Sequence, residues 1–414
     1  MNTSLPFTHD DIKRIAEQHP TPFHIYDEQR IRDVARRLSE TMERAGVSGF
    51  RNFFAVKALP NPAIVRILAE EGMGADCSSL AELKIAEMAG LRDDDIMFSS
   101  NNTPDDEFTL ATAMGAIINF DDVSQVAPYL EKHGPPSMAC CRFNPGDLEF
   151  GGLNQDIIGS PREAKYGMPV GQMVEAYRQL KAAGVTKFGL HTMLLSNELD
   201  WRHHEMIADR LFAVAVDVAA ECGITFDFIN LGGGIGVPYR PTEHAFDLAA
   251  FADSVSSLYV AHQLHAIGSP RIVMENGRAI TADSGYLVTR VRTIKRTHKT
   301  YIGVDASMSD LMRPAMYGAY HHITVLNDSA DTEEVDVVGS LCENNDKFAI
   351  DRELPRLNIG DIIIIHTTGA HGHAMGFQYN GKLRHAELLW RGNGDVRQIR
   401  RAETVEDYLG TVTK

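Results

Sequence analysis

FFAVKALPNPAIVRIL, residues 53–68, runs from an apolar stretch through a Pro-Asn-Pro turn into a segment whose apolar residues recur at helical spacing. The stretch reads as a strand, a turn and the opening of a helix, one βα unit. Lys57 stands where the strand gives way to the turn. A primary amine at the mouth of a buried strand can be desolvated, lose its proton and form a Schiff base. By residue type alone it would be an ordinary surface lysine, so the weight falls on what surrounds it.

Working outward, the same alternation recurs from Phe50 to about Gly277. Strand-like runs appear at 50–58, 73–79, 94–101, 116–121, 136–144, 185–194, 224–233 and 270–277, with amphipathic stretches such as LAELKIAEMAG and MVEAYRQLKAAG between them. About eight βα units are the number that closes a parallel barrel, so the expected fold class is α/β, a (β/α)8 TIM-type barrel. An open doubly wound sheet is the alternative if the count is off by one. Beyond Gly277 the texture changes to YLVTRVRTIKRT, TYIGVDA, TEEVDVVGSL and DIIIIHTTGA, which reads as a mainly β-sheet second domain. The expected division is a barrel over 28–280 and a β domain over 1–27 and 281–414. The polar, Gly-rich connection from Pro145 to Val170 is long enough to be a lid or a disordered segment.

Composition narrows the function classes. The 414 residues carry 56 acidic against 40 basic side chains, a formal charge of -16, which repels phosphate backbones and excludes nucleic acid as the expected partner. The five cysteines (Cys77, Cys140, Cys141, Cys222 and Cys342) show no CxxC spacing, so neither a disulfide framework nor a structural zinc site is expected. The opening MNTSLPFTHDDIKRI lacks a basic flank before an apolar run, and no segment approaches the roughly 18 apolar residues of a membrane span. A cytoplasmic protein without membrane contact is the expectation.

If strand alternation continues, Phe53, Ala55 and Lys57 share one face and Lys57 points into the barrel. Asp76, Asn101, Arg142, His191 with Ser196, Gly232 to Gly234, and Glu275 with Arg278 follow successive strands, on the face where barrel enzymes carry their sites. In NLGGGIGVPY three glycines leave backbone N–H groups open to an anion, after one of the last two strands, where barrels often hold phosphate. An amine that reacts with aldehydes, a phosphate nest and an acid able to keep a pyridine nitrogen protonated together describe a pyridoxal 5'-phosphate site. Glu275 would be that acid; otherwise it is a surface ion-pair partner.

The motifs FHIYD, FFAVKALPNP, GADCSSLAEL, INLGGGIGVPY, ENGRAI, DLMRPAMYGAYHHI, SLCENND and TTGAHGHAMGFQYNGKLR follow one another over nearly the whole chain. In this order they resemble the fold-type III pyridoxal phosphate decarboxylases, and most closely the diaminopimelate decarboxylase branch. The resemblance implies Lys57 as the covalent carrier of the cofactor and a head-to-tail homodimer with shared active sites. It implies Gly232, Gly233 and Gly234 as phosphate ligands with help from Ser196, and Glu275 as partner of the pyridine nitrogen. Asp76, His191 and His371 are placed among the cofactor-binding residues. Arg278, Arg313 and Tyr317 would hold the distal amino-acid end of the substrate, and Glu343 its ammonium group. Cys342, delivered with Glu343 from the neighbouring subunit, would be the proton donor. The implied reaction is meso-diaminopimelate to L-lysine and carbon dioxide, with D-ornithine, D-lysine or a related basic amino acid as the alternative.

The chain departs from the family pattern at several points. Met193 stands where a ring-stacking histidine is common, with His191 two residues earlier as the candidate substitute. His371 replaces a tyrosine, Asn276 a proline, and Asn344 with Asn345 a Ser-Gly pair. An amino-acid racemase on this kind of barrel would place arginine, not Glu275, at the pyridine nitrogen. His366, His371, His373 and His321-His322 suggest a metal hydrolase, but adjacent imidazoles in GAHGH and YHHI are more often loop or core residues. A regulatory homologue without catalysis would be expected to lose Lys57 or Cys342, and both are present.

Overall fold

Residues 4–146 and 161–413 are described by the computed structural model. Of the 145–170 connection, residues 147–160 lie outside that range, and the lid expectation falls on them. Contacts divide the chain into two units. One comprises 32–236 with 245–279; the other comprises 1–31, 237–244 and 280–414, so a short excursion after the glycine run belongs with the strand-rich unit.

After a helix over His9–Gln18, the first strand is β1 (Phe23–Asp27), which belongs to the second unit. The first unit then lays down β2 (Arg51–Ala55), β3 (Gly74–Cys77), β4 (Ile96–Ser99), β5 (Ile117–Phe120), β6 (Ala139–Arg142), β7 (Phe188–His191), β8 (Phe228–Asn230) and β9 (Arg271–Met274). These eight strands pair in parallel and in sequence order, and β2 pairs with β9 to close the barrel. The open-sheet alternative is thereby excluded. The strands are short and nearly all buried, because a parallel barrel is covered by side chains inside and helices outside. Phe53, Met97, Ile117, Met138, Cys140, Phe228 and Val273 form one apolar cluster. The Phe228 ring needs Gly189 beside it, since a Cβ there would lie 2.0 Å from Phe228 Cζ.

The turn after β2 shows why the opening sequence folds as it does. The Asn61 side chain accepts from the Ala63 amide at 3.0 Å, and Pro62 occupies the first turn, where its missing N–H costs nothing. The following helix, Pro62–Glu70, buries Ile64, Val65, Ile67 and Leu68. One expectation fails here. Strand β2 stops at Ala55, and Lys57 sits in a single 3₁₀ turn, Val56–Ala58. Period-two alternation therefore does not carry from Phe53 to Lys57, because the chain is already turning toward the proline.

In the second unit, β10 (Gly285–Arg296), β11 (Thr300–Val304), β12 (Ile323–Val325), β13 (Thr332–Val338), β14 (Lys347–Pro355), β15 (Ile362–Ile365), β16 (Ala386–Trp390) and β17 (Val396–Arg400) join β1 in a nine-stranded sheet. Its main path runs β14-β13-β11-β10-β1-β16-β17, with β15 pairing both β10 and β12. The four isoleucines of β15 divide by strand alternation between two apolar clusters. Ile363 and Ile365 join Leu287, Val291 and Val337, while Ile362 and Ile364 join Phe23, Tyr286 and Leu388. Among the described residues no helix is long and apolar enough to cross a membrane.

Candidate active site

The carboxyl ends of the barrel strands carry a continuous polar network. Glu275, just past β9 and 7% exposed, accepts from Asn230 Nδ2 at 2.6 Å and lies 3.1 Å from His191 Nε2. The other ring nitrogen, His191 Nδ1, is 2.9 Å from Asn119 Nδ2, which also donates to Ser99 Oγ at 3.0 Å. With Asn119 donating, Nδ1 accepts and Nε2 carries the proton offered to Glu275. Burial pushes the Glu275 carboxyl up, but the neighbouring His191, the Lys57 charge and the Asn230 hydrogen bond outweigh it and hold the group below its usual range. Glu275 is thus kept ionised by three partners.

Asp76 behaves in the opposite way. It is 3% exposed at the end of β3, and its Oδ1 has no hydrogen-bond partner among the described residues. Burial, reinforced by the Glu275 charge, pushes this carboxyl well above the usual range against the pull of Lys57. Two acids of one site are therefore driven apart, the pattern expected where one must stay charged and the other protonated. The Lys57 side chain is exposed, and its charge is felt by Asp76, Glu82 and Glu275. Gly277 lets the 275–278 turn pack against Ala55 and Ala58, which flank the turn carrying Lys57: a Cβ there would lie 2.7 Å from Ala58 Cβ and 3.2 Å from Ala55 Cβ. Arg278 follows at 9% exposure.

The glycine run after β8 is a built turn. Gly232 and Gly234 take φ of 71° and 99°, in the left-handed region that glycine enters at little cost. Added Cβ atoms at Gly232, Gly233 and Gly234 would meet the Thr192, Glu275 and Leu195 carbonyls at 2.3, 2.4 and 2.6 Å. The Asn230 side chain accepts from the Gly232 amide at 2.9 Å, so one residue fixes both the turn and Glu275. Met193 Sδ lies 3.1 Å from the Gly233 amide nitrogen. Ser196 is five residues past the end of β7 and half-buried, in a loop joined to the glycine turn where the Glu198 amide meets the Gly234 carbonyl at 2.9 Å.

His191, weighed as a ring-stacking substitute for the missing histidine, has both nitrogens engaged by Asn119 and Glu275. Arg142, at the end of β6, pairs with Asp121 at 3.3 Å and lies over the Tyr166 ring at 4.4 Å. Asn119 and Asn230 escaped the sequence reading. Their signal was asparagine at the next-to-last and last positions of strands otherwise apolar, where it is depleted unless its amide is used.

In the second unit, the short helix Arg313–Tyr317 begins with Arg313, 6% exposed and over the Tyr239 ring at 5.1 Å, and ends with Tyr317, 46% exposed. Cys342 and Glu343 are exposed on the loop between β13 and β14, whereas the other four cysteines are buried. His371 has φ of 56° in the turn between β15 and β16. His366 Nε2 is 2.8 Å from Thr324 Oγ1, and His321 Nδ1 is 2.9 Å from the His366 carbonyl, both framework contacts of the sheet. Among the described residues no group of three or more His, Cys, Asp or Glu could hold a metal ion.

An exposed amine beside an ionised carboxylate, with a glycine turn nearby, suits an anionic pyridine aldehyde. Residues 29–282 match the family described as pyridoxal-dependent decarboxylase, pyridoxal binding domain, and the chain belongs to that family. It is a pyridoxal phosphate-dependent carboxy-lyase acting on an amino acid. Within the family it is 43% identical to Protein TabA of Pseudomonas amygdali pv. tabaci, over 97% of this chain and 93% of that protein. It is 38% identical to diaminopimelate decarboxylase of Methanothermobacter thermautotrophicus, over 96% and 93%. Among solved structures it is similar to diaminopimelate decarboxylase from M. jannaschii in complex with L-lysine, with a TM-score of 0.89 and 29% identity, covering 97% of this chain and 94% of that one.

Proposed function

We propose that the chain decarboxylates meso-diaminopimelate at its D centre, releasing carbon dioxide and L-lysine, as a cytoplasmic homodimer with shared active sites. The observation that carries the substrate choice is that two arginines, Arg278 of the barrel and Arg313 of the strand-rich unit, are each buried in their own unit. Arginine's planar donors suit a second carboxylate, which simple diamino acids lack. The similarity to diaminopimelate decarboxylases supports the same choice.

When bound, pyridoxal phosphate supplies an aldehyde for the substrate amine and a ring that takes up the electron pair left at Cα. In this reading Lys57 would hold the cofactor, with Gly232, Gly233, Gly234 and Ser196 on its phosphate. Glu275, held ionised by His191 and Asn230, keeps a proton on the pyridine nitrogen. Asp76 and His371 complete the cofactor site. Arg278, Arg313 and Tyr317 anchor the distal end of the substrate, and Glu343 takes its ammonium group. The bond from Cα to the carboxylate breaks, and Cys342 donates the proton that replaces the departing carbon dioxide. The 28–280 segment binds the cofactor, and segments 1–27 and 281–414 complete the site and the subunit interface.

A second reading, decarboxylation of D-ornithine, D-lysine or a related basic amino acid, is favoured by the departures at Met193, His371 and Asn344. Comparing kcat/KM for meso-diaminopimelate, D-lysine, D-ornithine, L-lysine, L-ornithine and L-arginine decides between them. Losing a desolvated arginine–carboxylate contact costs roughly 2–5 kcal/mol, which is a preference of about thirty- to several-thousand-fold for diaminopimelate. A monocarboxylate diamine processed equally well would sink the two-arginine argument.

A further inference from the structure

The loop that carries Cys342 is anchored at two points of unlike character. Asp346, 3% exposed, accepts from the Leu341 amide at 2.8 Å and the Met308 amide at 2.6 Å, while its own amide reaches the Glu343 carbonyl at 3.0 Å. Between the buried residues Leu341 and Asp346 stand four exposed ones, Cys342 to Asn345. The Asp346 side chain holds the loop up to Leu341. The next amide, that of Cys342, donates instead to Asn380 Oδ1 at 2.8 Å, across 38 residues of sequence.

Asn380 is set up for that contact. It stands at φ 57°, ψ 19° inside a tight turn, followed by Gly381 at φ 66°. The left-handed region disfavours most side chains, and asparagine is one of the few that enter it readily. The turn is closed by the Gly381 amide on the Gln378 carbonyl at 3.0 Å, and Gln378 is tied to Glu403 at 2.7 Å. The Asn380 carbonyl oxygen is thus presented from a fixed turn to the backbone of an otherwise exposed cysteine.

We propose that Asn380 is a positioning residue that sets the place of the Cys342 thiol by accepting the Cys342 backbone N–H. The inference rests on Cys342 as the proton donor, and it adds the group that orients it. Proton transfer requires the donor within hydrogen-bond reach of the reacting carbon, so a thiol on an untethered loop spends less time in range. Because the Glu343 carbonyl keeps its own tie to the Asp346 amide at 3.0 Å, the effect falls mainly on the chemical step rather than on substrate binding.

Two variants separate the acceptor from the turn. Asn380→Gly keeps the left-handed conformation and removes the oxygen, whereas Asn380→Asp keeps an oxygen acceptor. In the full-length protein, exchange of the Cys342 amide is followed on peptides spanning 340–346, and iodoacetamide alkylation reports the thiol. N380G is expected to speed both, exchange by about tenfold, for loss of one hydrogen bond of ordinary strength. The expected kcat falls by a similar factor with KM within about twofold. N380D should retain amide protection and most of kcat. Unchanged exchange and alkylation in N380G would overturn the proposal, and if N380G does not fold, the parent protein decides: a Cys342 amide that exchanges as fast as those of the exposed residues Glu343 and Asn344 would overturn it. Cys342→Ala tests the underlying reading separately: unchanged kcat in that variant removes Cys342 as proton donor, while exchange and alkylation still decide the role of Asn380.

Discussion

Asp76 concentrates the electrostatics of the barrel in one side chain. Below the ordinary carboxylate range, folded and unfolded chains both keep its proton, and the group has no effect on stability. As pH rises past about 4 the unfolded chain releases that proton while the buried carboxyl retains it, so folding carries a growing cost until the folded carboxyl itself ionises. Asp76→Asn removes the ionisable group. The cofactor-free variant should match the parent near pH 4 and exceed it by roughly 1–3 kcal/mol at pH 7, the range for a buried polar group left unsatisfied. Thermal unfolding across that pH range checks this; a difference that shrinks as pH rises contradicts the assigned direction. Lys57, Glu275 and the glycines stand out in the sequence because each is an unusual residue at or just past a strand-like run. Asn119 and Asn230 were not singled out, since their use depends on which strands become neighbours: Asn119 on β5 reaches Glu275 through His191 on β7.

The strands and the loops that follow them show the same division between what local pattern determines and what it leaves open. All eight barrel runs were recognisable, because strands covered on both faces must be apolar throughout. Where each strand stops depends on turn chemistry, and β2 ends two residues before Lys57 because the chain turns ahead of Pro60. The matching of Gly189 to Phe228 was also hidden. Nothing local to the glycine reveals that an aromatic ring on the next strand occupies the space of its missing Cβ. Gly189→Ala should therefore destabilise the cofactor-free protein by about 1–3 kcal/mol or more through overpacking. Combining it with Phe228→Leu should recover part of that loss, since the two sites are coupled. Urea unfolding midpoints of the two single variants and the double variant provide the measurement, and additive losses would show that the ring is not the obstacle.

The proposed reading draws on residues of both units, Lys57, Asp76 and Glu275 of the barrel and Cys342, Glu343, Arg313 and Tyr317 of the strand-rich unit. The 237–244 excursion leaves no mark in the sequence, because eight residues are too few to show a change in composition. If the cysteine of one subunit serves the lysine of another, inactivating the two residues on different chains should be repairable by mixing. Lys57→Ala alone and Cys342→Ala alone are each expected to lose nearly all turnover. In a random mixture half of the dimers are mixed, and each mixed dimer holds one site with both residues intact and one with neither. Activity should return to about a quarter of that of the parent enzyme. Were both residues of a site supplied by the same chain, every site in the mixture would lack one of them, and activity would stay at background however completely subunits exchange. Native mass spectrometry of the mixture, run alongside carbon dioxide release, establishes the mixed fraction. Verified exchange without recovered activity rules out the shared site.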